Sequence, residues 1–95
     1  MTNAEIIYNE AIINGIYTED EAIEILSMGI NLPIHTYAVW QQLGYQVQKG
    51  QKAAIKTKLW KPVIKKAKNE DEEDEQKMIL VNAALFTAEQ VEKRS

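Results

Sequence analysis

The sequence predicts an α+β fold in which three N-terminal helices pack on a small antiparallel β-sheet or hairpin, followed by a short C-terminal helix. Capping motifs and helical spacing of apolar residues fill the first 43 residues, and a period-two alternation of side chains follows them. The chain has 95 residues, of which 45% are hydrophobic, so it can bury one modest core. We therefore expect a single domain over residues 1–95.

Two acidic helices are expected at the N-terminus, forming a helical hairpin over residues 1–34. Thr2 with Glu5, and Thr18 with Glu21, have the spacing of capping boxes, in which a hydroxyl and a carboxylate satisfy free backbone N–H groups. A glycine follows each apolar run and ends the helix. The side chains expected to face inward are Ile6, Ile7, Ala11, Ile12, Ile13, Ala22, Ile23, Ile25 and Leu26.

A third helix is predicted from Thr36, its N-cap, to Leu43. Val39, Trp40 and Leu43 would face the core, and Gly44 is placed to follow the C-terminus of the helix. We assign Trp40 to the core because it lies beside two other apolar residues on a short helix.

The rest of the chain has the pattern of strands. Residues 53–64 and 78–86 are rich in good β-formers and should pair as an antiparallel hairpin. Pro62 requires an edge position or a bulge, because proline has no N–H to donate to a neighbouring strand. A short helix is expected over residues 87–93.

Charge is sharply segregated along the chain, although the formal net charge is only −3. Residues 45–68 hold eight of the eleven basic residues, all lysine, and no acid, whereas residues 1–44 hold six acids and no Lys or Arg. Screening limits the reach of a charge to roughly 8–10 Å at cellular salt concentrations, so local charge decides where a polyanion binds. The lysine-rich segment is therefore the best candidate for a binding site.

Six consecutive acids, EDEEDE at residues 70–75, lie between the two predicted strands. We interpret residues 67–76 as a disordered acidic loop, with a nucleic-acid mimic as the alternative interpretation. A calcium site is rejected, because contiguous carboxylates lack the turn-forming glycine and the spaced ligands of a calcium loop.

Signatures of catalysis and of metal binding are absent from the sequence. There is no cysteine, His35 is the only histidine, and no glycine-rich phosphate loop occurs. We therefore expect a protein that is not an enzyme and that needs no metal or cofactor. No run of 18 apolar residues and no signal-peptide pattern occur either, so we expect a cytoplasmic location without membrane contact.

Alternation along the first long strand separates a basic face from an apolar face. Lys52, Ala54, Lys56, Lys58 and Trp60 would project from one face, and Ile55, Thr57, Leu59 and Lys61 from the other. Cations for phosphates and a flat ring for unstacked bases are what single-stranded nucleic acid requires. Base-specific recognition of duplex DNA would favour arginine side chains in the major groove. The only arginine is Arg94, so we do not expect this mode of binding.

Two plainer interpretations of this strand stay open. Lysines on the outer side of an edge strand also protect a sheet against aggregation. Trp60 becomes a core residue if a bulge at Pro62 reverses the alternation.

The segment from Tyr37 to Ala53, YAVWQQLGYQVQKGQKA, resembles the N-terminal domain of ArdC-type antirestriction proteins. The shared pattern is a helical tryptophan, Leu-Gly, a valine, Lys-Gly-x-Lys and a strand that leads to a hydrophobic-Trp-Lys-Pro sequence, here residues 59–62. Leu85-Phe86 and Glu89-Gln90 match the end of the pattern. The resemblance covers roughly residues 36–91.

The resemblance implies non-catalytic, sequence-tolerant binding of single-stranded DNA in phage, plasmid or mobile-element biology. The chain would be a stand-alone version, without the metallopeptidase-like domain that often follows. Gly44 and Gly50 would shape the turns that present the binding residues. The residues expected to contact DNA are Lys49, Lys52, Lys56, Lys58 and Lys61 at phosphates, with Trp60 and Tyr45 as stacking platforms.

Two rival hypotheses concern protein partners. In the first, the acidic helices and residues 70–75 occupy the nucleic-acid-binding surface of a host defence protein. In the second, the edge strand of residues 52–61 pairs with a second copy to form a homodimer.

Overall fold

A long two-stranded β-hairpin dominates the computed structural model, which describes residues 1–66, 68, 71 and 73–94. Helices α1, α2 and α3 span Asn3–Ile13, Glu19–Ser27 and Tyr37–Gln42, and strands β1 to β5 span Ile34–Thr36, Tyr45–Val47, Ile55–Lys65, Glu75–Thr87 and Val91–Lys93. The expected α+β class, with three helices and an antiparallel sheet, is confirmed.

The strands form two antiparallel sheets. In the larger sheet the order is β1-β4-β3, and the smaller sheet contains β2 and β5. Strands β3 and β4 pair continuously from Ile55 opposite Leu85 to Lys65 opposite Glu75. Because β1 pairs only with the last three residues of β4, Leu85 to Thr87, the described hairpin has just two strands from Ala84 to its tip.

Hydroxyl caps begin all three helices, as the sequence predicts. The Thr2 hydroxyl accepts the Glu5 N–H at 3.2 Å, and the Thr18 hydroxyl accepts the Glu21 N–H at 3.2 Å. The glutamates bond back to the N-cap backbone, which completes both capping boxes. The hydrogen bond from the Thr18 backbone lowers the pKa of Glu21. At the start of α3 the Thr36 hydroxyl accepts the Val39 N–H at 3.3 Å.

The main core lies where α1, α2 and β1 meet the base of the hairpin. Its buried members are Ala11, Ala22, Leu32, Ile34, Ile55 and Leu85. The inward face predicted for the first two helices is only partly right, because each helix buries a single alanine completely. Ile13 is 76% exposed and Ile23 is also exposed, since neighbouring elements cover only one stripe of each short helix.

The C-terminal segment departs from the prediction of a short helix over residues 87–93. One 3₁₀ turn, Ala88–Gln90, is followed by β5, which pairs with β2 through Val47 opposite Val91. Cross-strand pairing therefore overrides the weak local helical tendency of this segment.

The hairpin is also longer than predicted at its tip. Lys65 lies opposite Glu75 in the register of β3 and β4, although both residues were expected in or beside the acidic loop. The predicted disordered loop, residues 67–76, is too long at its end, because Glu75 and Gln76 belong to β4. Positions 67, 69, 70 and 72 of that loop lie outside the described residues.

Candidate nucleic-acid interface

A flat, positively charged surface lies on the outer side of the hairpin, opposite the helices. Lys56 lies across from Ala84 and Lys58 across from Asn82, and both lysines are exposed. These four residues, which we call the basic face, line a shallow depression of about 540 Å³ together with Thr57 and Ala83. The residues across from them, Ala84 and Asn82, have short side chains, so the ammonium groups of Lys56 and Lys58 are accessible to solvent on this side of the hairpin.

The two lysines of the basic face have no anionic neighbour along the hairpin. The outer residues of β4 from Gln76 to Ala84 include no acid, and neither Lys56 nor Lys58 forms an ion pair within the part of the chain that the structure describes. Their charges are consequently available to an external anion rather than neutralised within the fold.

The predicted alternation is confirmed from residue 55 to residue 59. Ile55 is fully buried in the core, and Leu59 packs against the core on the same side. The extension of this alternation to Lys52 and Ala54 is wrong. Strand β3 begins only at Ile55, and Ala54 packs against the core as Ile55 does, with its N–H donating to the Leu85 carbonyl at 3.0 Å.

Trp60 lies on β3, at the edge of the sheet away from β4, and is half-buried and outside the core cluster. Its indole Nε1 donates to the Met1 carbonyl at 2.8 Å. Its backbone N–H donates to Asn3 Oδ1 at 2.8 Å, and its carbonyl accepts from Asn3 Nδ2 at 3.1 Å. Trp60 borders a hollow of about 430 Å³ that Met1, Thr2, Asn3 and Met78 also line.

Pro62 is accommodated at the edge of the sheet, and no bulge reverses the alternation there. Strand pairing continues through Pro62 opposite Met78. Because the Trp60 N–H points away from β4, the position two residues later also points outward, so the missing N–H of Pro62 removes no hydrogen bond of the hairpin.

Lys61 is not on the basic face. It lies across from Ile79, and the alternation places it on the side of Ile55 and Leu59. The structure therefore separates Lys61 from Lys56 and Lys58, as the spacing of the residues along the strand requires.

Lys49 and Lys52 lie in the connection before β3, which is hydrogen-bonded to Gln90 in the 3₁₀ turn after β4. The Gln48 N–H donates to the Gln90 carbonyl at 2.9 Å, and Gln90 Nε2 donates to the Lys52 carbonyl at 2.6 Å. Gly50 has a φ of 86°, a left-handed conformation that favours glycine, so it shapes this turn as predicted. Both lysine side chains are exposed.

An aromatic cluster supports Tyr45. Trp40 is buried, as predicted, and its Nε1 donates to the Phe86 carbonyl at 2.9 Å. The Trp40 ring contacts Tyr45 edge-on at 5.5 Å and His35 edge-on at 4.8 Å between centroids. Burial lowers the pKa of His35. The Tyr45 ring is only partly exposed, and Gly44, with a φ of 90°, makes the turn that precedes it.

Three residues that stabilise or border the site were not identified as such from the sequence. Asn3 pairs with the backbone of Trp60, Gln90 holds the connection at Lys52, and Asn82 faces Lys58. Asn82 had a detectable signal, because it is the only polar residue between Met78 and Phe86. The other two contacts join residues far apart in the sequence.

The family model for the N-terminal domain of anti-restriction factor ArdC matches residues 33–88, more than half of the chain. The chain belongs to this ArdC N-terminal domain family. The matched region contains β1, α3, β2 and the whole hairpin, and hence every lysine of the candidate site. No curated protein and no solved structure shows significant similarity to the chain.

The described residues contain no helix long and apolar enough to cross a membrane. They likewise contain no group of three or more His, Cys, Asp or Glu side chains arranged to hold a metal ion.

Proposed function

We propose that this member of the ArdC N-terminal domain family binds single-stranded DNA without catalysing a reaction, and that it does so in an antirestriction role. The observation that carries the proposal is the basic face, where two exposed lysines, neither in an ion pair with any described residue, flank a shallow depression. Membership of an anti-restriction family supports the biological role.

The geometry of the basic face suits a flexible strand better than a duplex. Lys56 and Lys58 are two residues apart on one strand, about 6.6 Å along the ribbon, so they offer a short row of point charges. No arginine fork accompanies them among the described residues, and none of the three helices contains a Lys or Arg that could read duplex base edges. Charge contacts to a backbone, with little base selectivity, are the expected outcome.

Trp60 and Tyr45 are the proposed stacking platforms. Trp60 follows Lys58 by two residues on the outer side of the ribbon, and it borders a hollow beside the N-terminus. Stacking of one base on an aromatic ring contributes roughly 1–3 kcal/mol. Lys49 and Lys52 precede β3 directly, so they would extend the track of cations toward the connection held by Gln90.

The test is a titration of labelled oligo-dT by fluorescence anisotropy at several salt concentrations. Each phosphate contact contributes about 0.7 to the slope of log K against log salt for single strands. The double variant Lys56→Gln/Lys58→Gln should therefore lower the magnitude of that slope by about 1.4 and weaken binding at low salt.

A matched control is Lys65→Gln/Lys77→Gln. It removes the same charge from the same hairpin, but both residues lie on the opposite face of the ribbon from Lys56 and Lys58. Binding by this control should change much less. Equal losses in the two double variants would show attraction by net charge alone and would contradict a defined site.

The rival hypothesis, an acidic surface that mimics nucleic acid, predicts the opposite pattern. In that case oligo-dT binding would be absent in the wild-type chain, and antirestriction activity in cells would survive the Lys56→Gln/Lys58→Gln substitutions.

A further inference from the structure

The two edges of the long hairpin differ in how they are protected. The Trp60 N–H and carbonyl point away from β4 toward Asn3, so residues of β3 with even numbers expose their backbone groups at the outer edge. Trp60 lies opposite Leu80, so the backbone groups of Leu80 also point away from the partner strand. The even-numbered residues of β4 therefore direct their N–H and carbonyl groups away from β3. Met78, Leu80 and Asn82 thus direct their N–H and carbonyl groups to the open side of β4.

The edge of β3 is closed to a further strand. The Asn3 side chain occupies both backbone groups of Trp60, Pro62 has no N–H at the next outward position, and lysines lie along the strand. Charged side chains, proline and a covering group are the usual means by which proteins prevent pairing at an edge.

The edge of β4 has none of these protections among the described residues. From Met78 to Phe86 the strand carries no charge and no proline, and β1 covers only its last three residues. Met78, Ile79 and Leu80 are 54%, 43% and 47% exposed. A long, uncharged, apolar edge with free backbone groups is unusual in a monomer and is a template for another strand.

We infer that this edge pairs with a second copy of the chain, β4 against β4 in antiparallel orientation, about a two-fold axis at Ile79. Leu80 then lies opposite Met78 of the second copy, and Asn82 opposite Gln76, so that apolar residues meet apolar residues and amides meet amides. The outward-pointing backbone groups of all four positions find partners, and the two hairpins become one four-stranded sheet.

The self-complementary sequence around Ile79 is the reason for choosing a second copy over another partner. No like charges oppose each other in this register, since Lys77 faces Val81 and Glu75 faces Ala83. An isologous interface requires this match of a surface with itself. The basic face stays exposed, because Lys56 and Lys58 lie on the outer strands of the enlarged sheet.

A charge exchange at the central residue tests the inference. Ile79 would lie opposite its own symmetry mate, so Ile79→Glu and Ile79→Lys should each be monomeric in sedimentation velocity, because like charges face each other. An equimolar mixture of the two variants should form a mixed dimer. This rescue also shows that neither variant has merely lost its fold.

A single cysteine provides a second measurement, because the chain has no cysteine of its own. Cα atoms of a directly opposed, non-hydrogen-bonded pair are about 4.5 Å apart, within disulfide range. Mild oxidation of Ile79→Cys should therefore give a covalent dimer. Lys77→Cys is the control, because the two Lys77 positions would be offset by four residues, about 13 Å along the strands.

The inference is overturned if the wild-type chain remains monomeric at concentrations up to about 1 mM. At that concentration even a dimer with a free energy of association of only about −4 kcal/mol would be detected. It is equally overturned if Ile79→Glu and Ile79→Lys dimerise alone, or if a Lys58→Glu substitution at the β3 edge dissociates the dimer instead. Dimerisation and DNA binding are tested by separate measurements. Sedimentation and oxidation report on the β4 edge, whereas titration of the Lys56→Gln/Lys58→Gln variant with oligo-dT reports on the basic face.

Discussion

The base and the tip of the same hairpin differ in what stabilises them. At the base, Ile55 and Leu85 pair across the strands and are buried under the helices, Leu85 completely. At the tip, Ile64 is 64% exposed, although it is as good a β-former as Ile55. Hydrogen bonds between strands continue into the tip, but burial does not. Strand propensity therefore gives the length of the ribbon, whereas the helices decide which part of it contributes a core.

The largest effect expected from this difference is on stability. Leu85→Ala should lower the free energy of unfolding by about 2–5 kcal/mol, because it leaves a cavity in the core. Leu80→Ala, the same substitution at the tip, should cost less than about 1 kcal/mol, because Leu80 is already half in solvent. Urea unfolding at low protein concentration, followed by tryptophan fluorescence, measures both. Similar costs would show that the tip is packed as tightly as the base.

A smaller effect is expected where the N-terminus attaches to the hairpin. Asn3→Ala removes two hydrogen bonds to the Trp60 backbone and should destabilise the fold by about 1–2 kcal/mol. The Trp60 amide should also exchange faster with solvent. Asn9→Ala on the same helix is a matched control, because Asn9 is exposed and makes no described hydrogen bond through its side chain. Unchanged exchange at Trp60 in Asn3→Ala would show that Asn3 does not close this edge.

The smallest effect concerns pH at the aromatic cluster. Burial lowers the pKa of His35 below its ordinary value of 6.5, so the unfolded chain binds its proton more readily than the folded chain. The free energy of unfolding should therefore be constant well above pH 6.5, fall as the pH drops below 6.5, and level off below the folded pKa. Thermal unfolding between pH 5 and pH 8 should show this decrease in the wild-type chain and a weaker one in His35→Gln. Identical profiles would exclude His35 as the group responsible.

The sequence predicted local features well and side-chain burial less well. Thr2, Thr18 and Thr36 cap helices as predicted, because capping depends on residues three positions apart. The assignment to the core was wrong for five apolar residues, because burial depends on elements that the local pattern does not specify. These exposed residues are Ile13, Ile23, Leu26, Val39 and Leu43. For the same reason, the strand at residues 91–93 needs its distant partner β2 and was predicted as helix.

The candidate site divides in a similar way. Successive side chains of a strand point to opposite faces, so the spacing of Lys56 and Lys58 alone predicts that they lie on the same face. The closure of the β3 edge by Asn3 links residues 57 positions apart, and no local pattern predicts it.

The amino-acid order by itself determined the helix starts, the turns at Gly44 and Gly50, the strand alternation and the separation of charge, because each depends on neighbours within a few bonds or one strand repeat. Only the tertiary structure decided which apolar residues are buried, which strands pair beyond the predicted hairpin, and which edge of that hairpin stays open. Those outcomes depend on contacts between distant segments, whose free energy comes from excluding water between surfaces that meet only after the chain has folded.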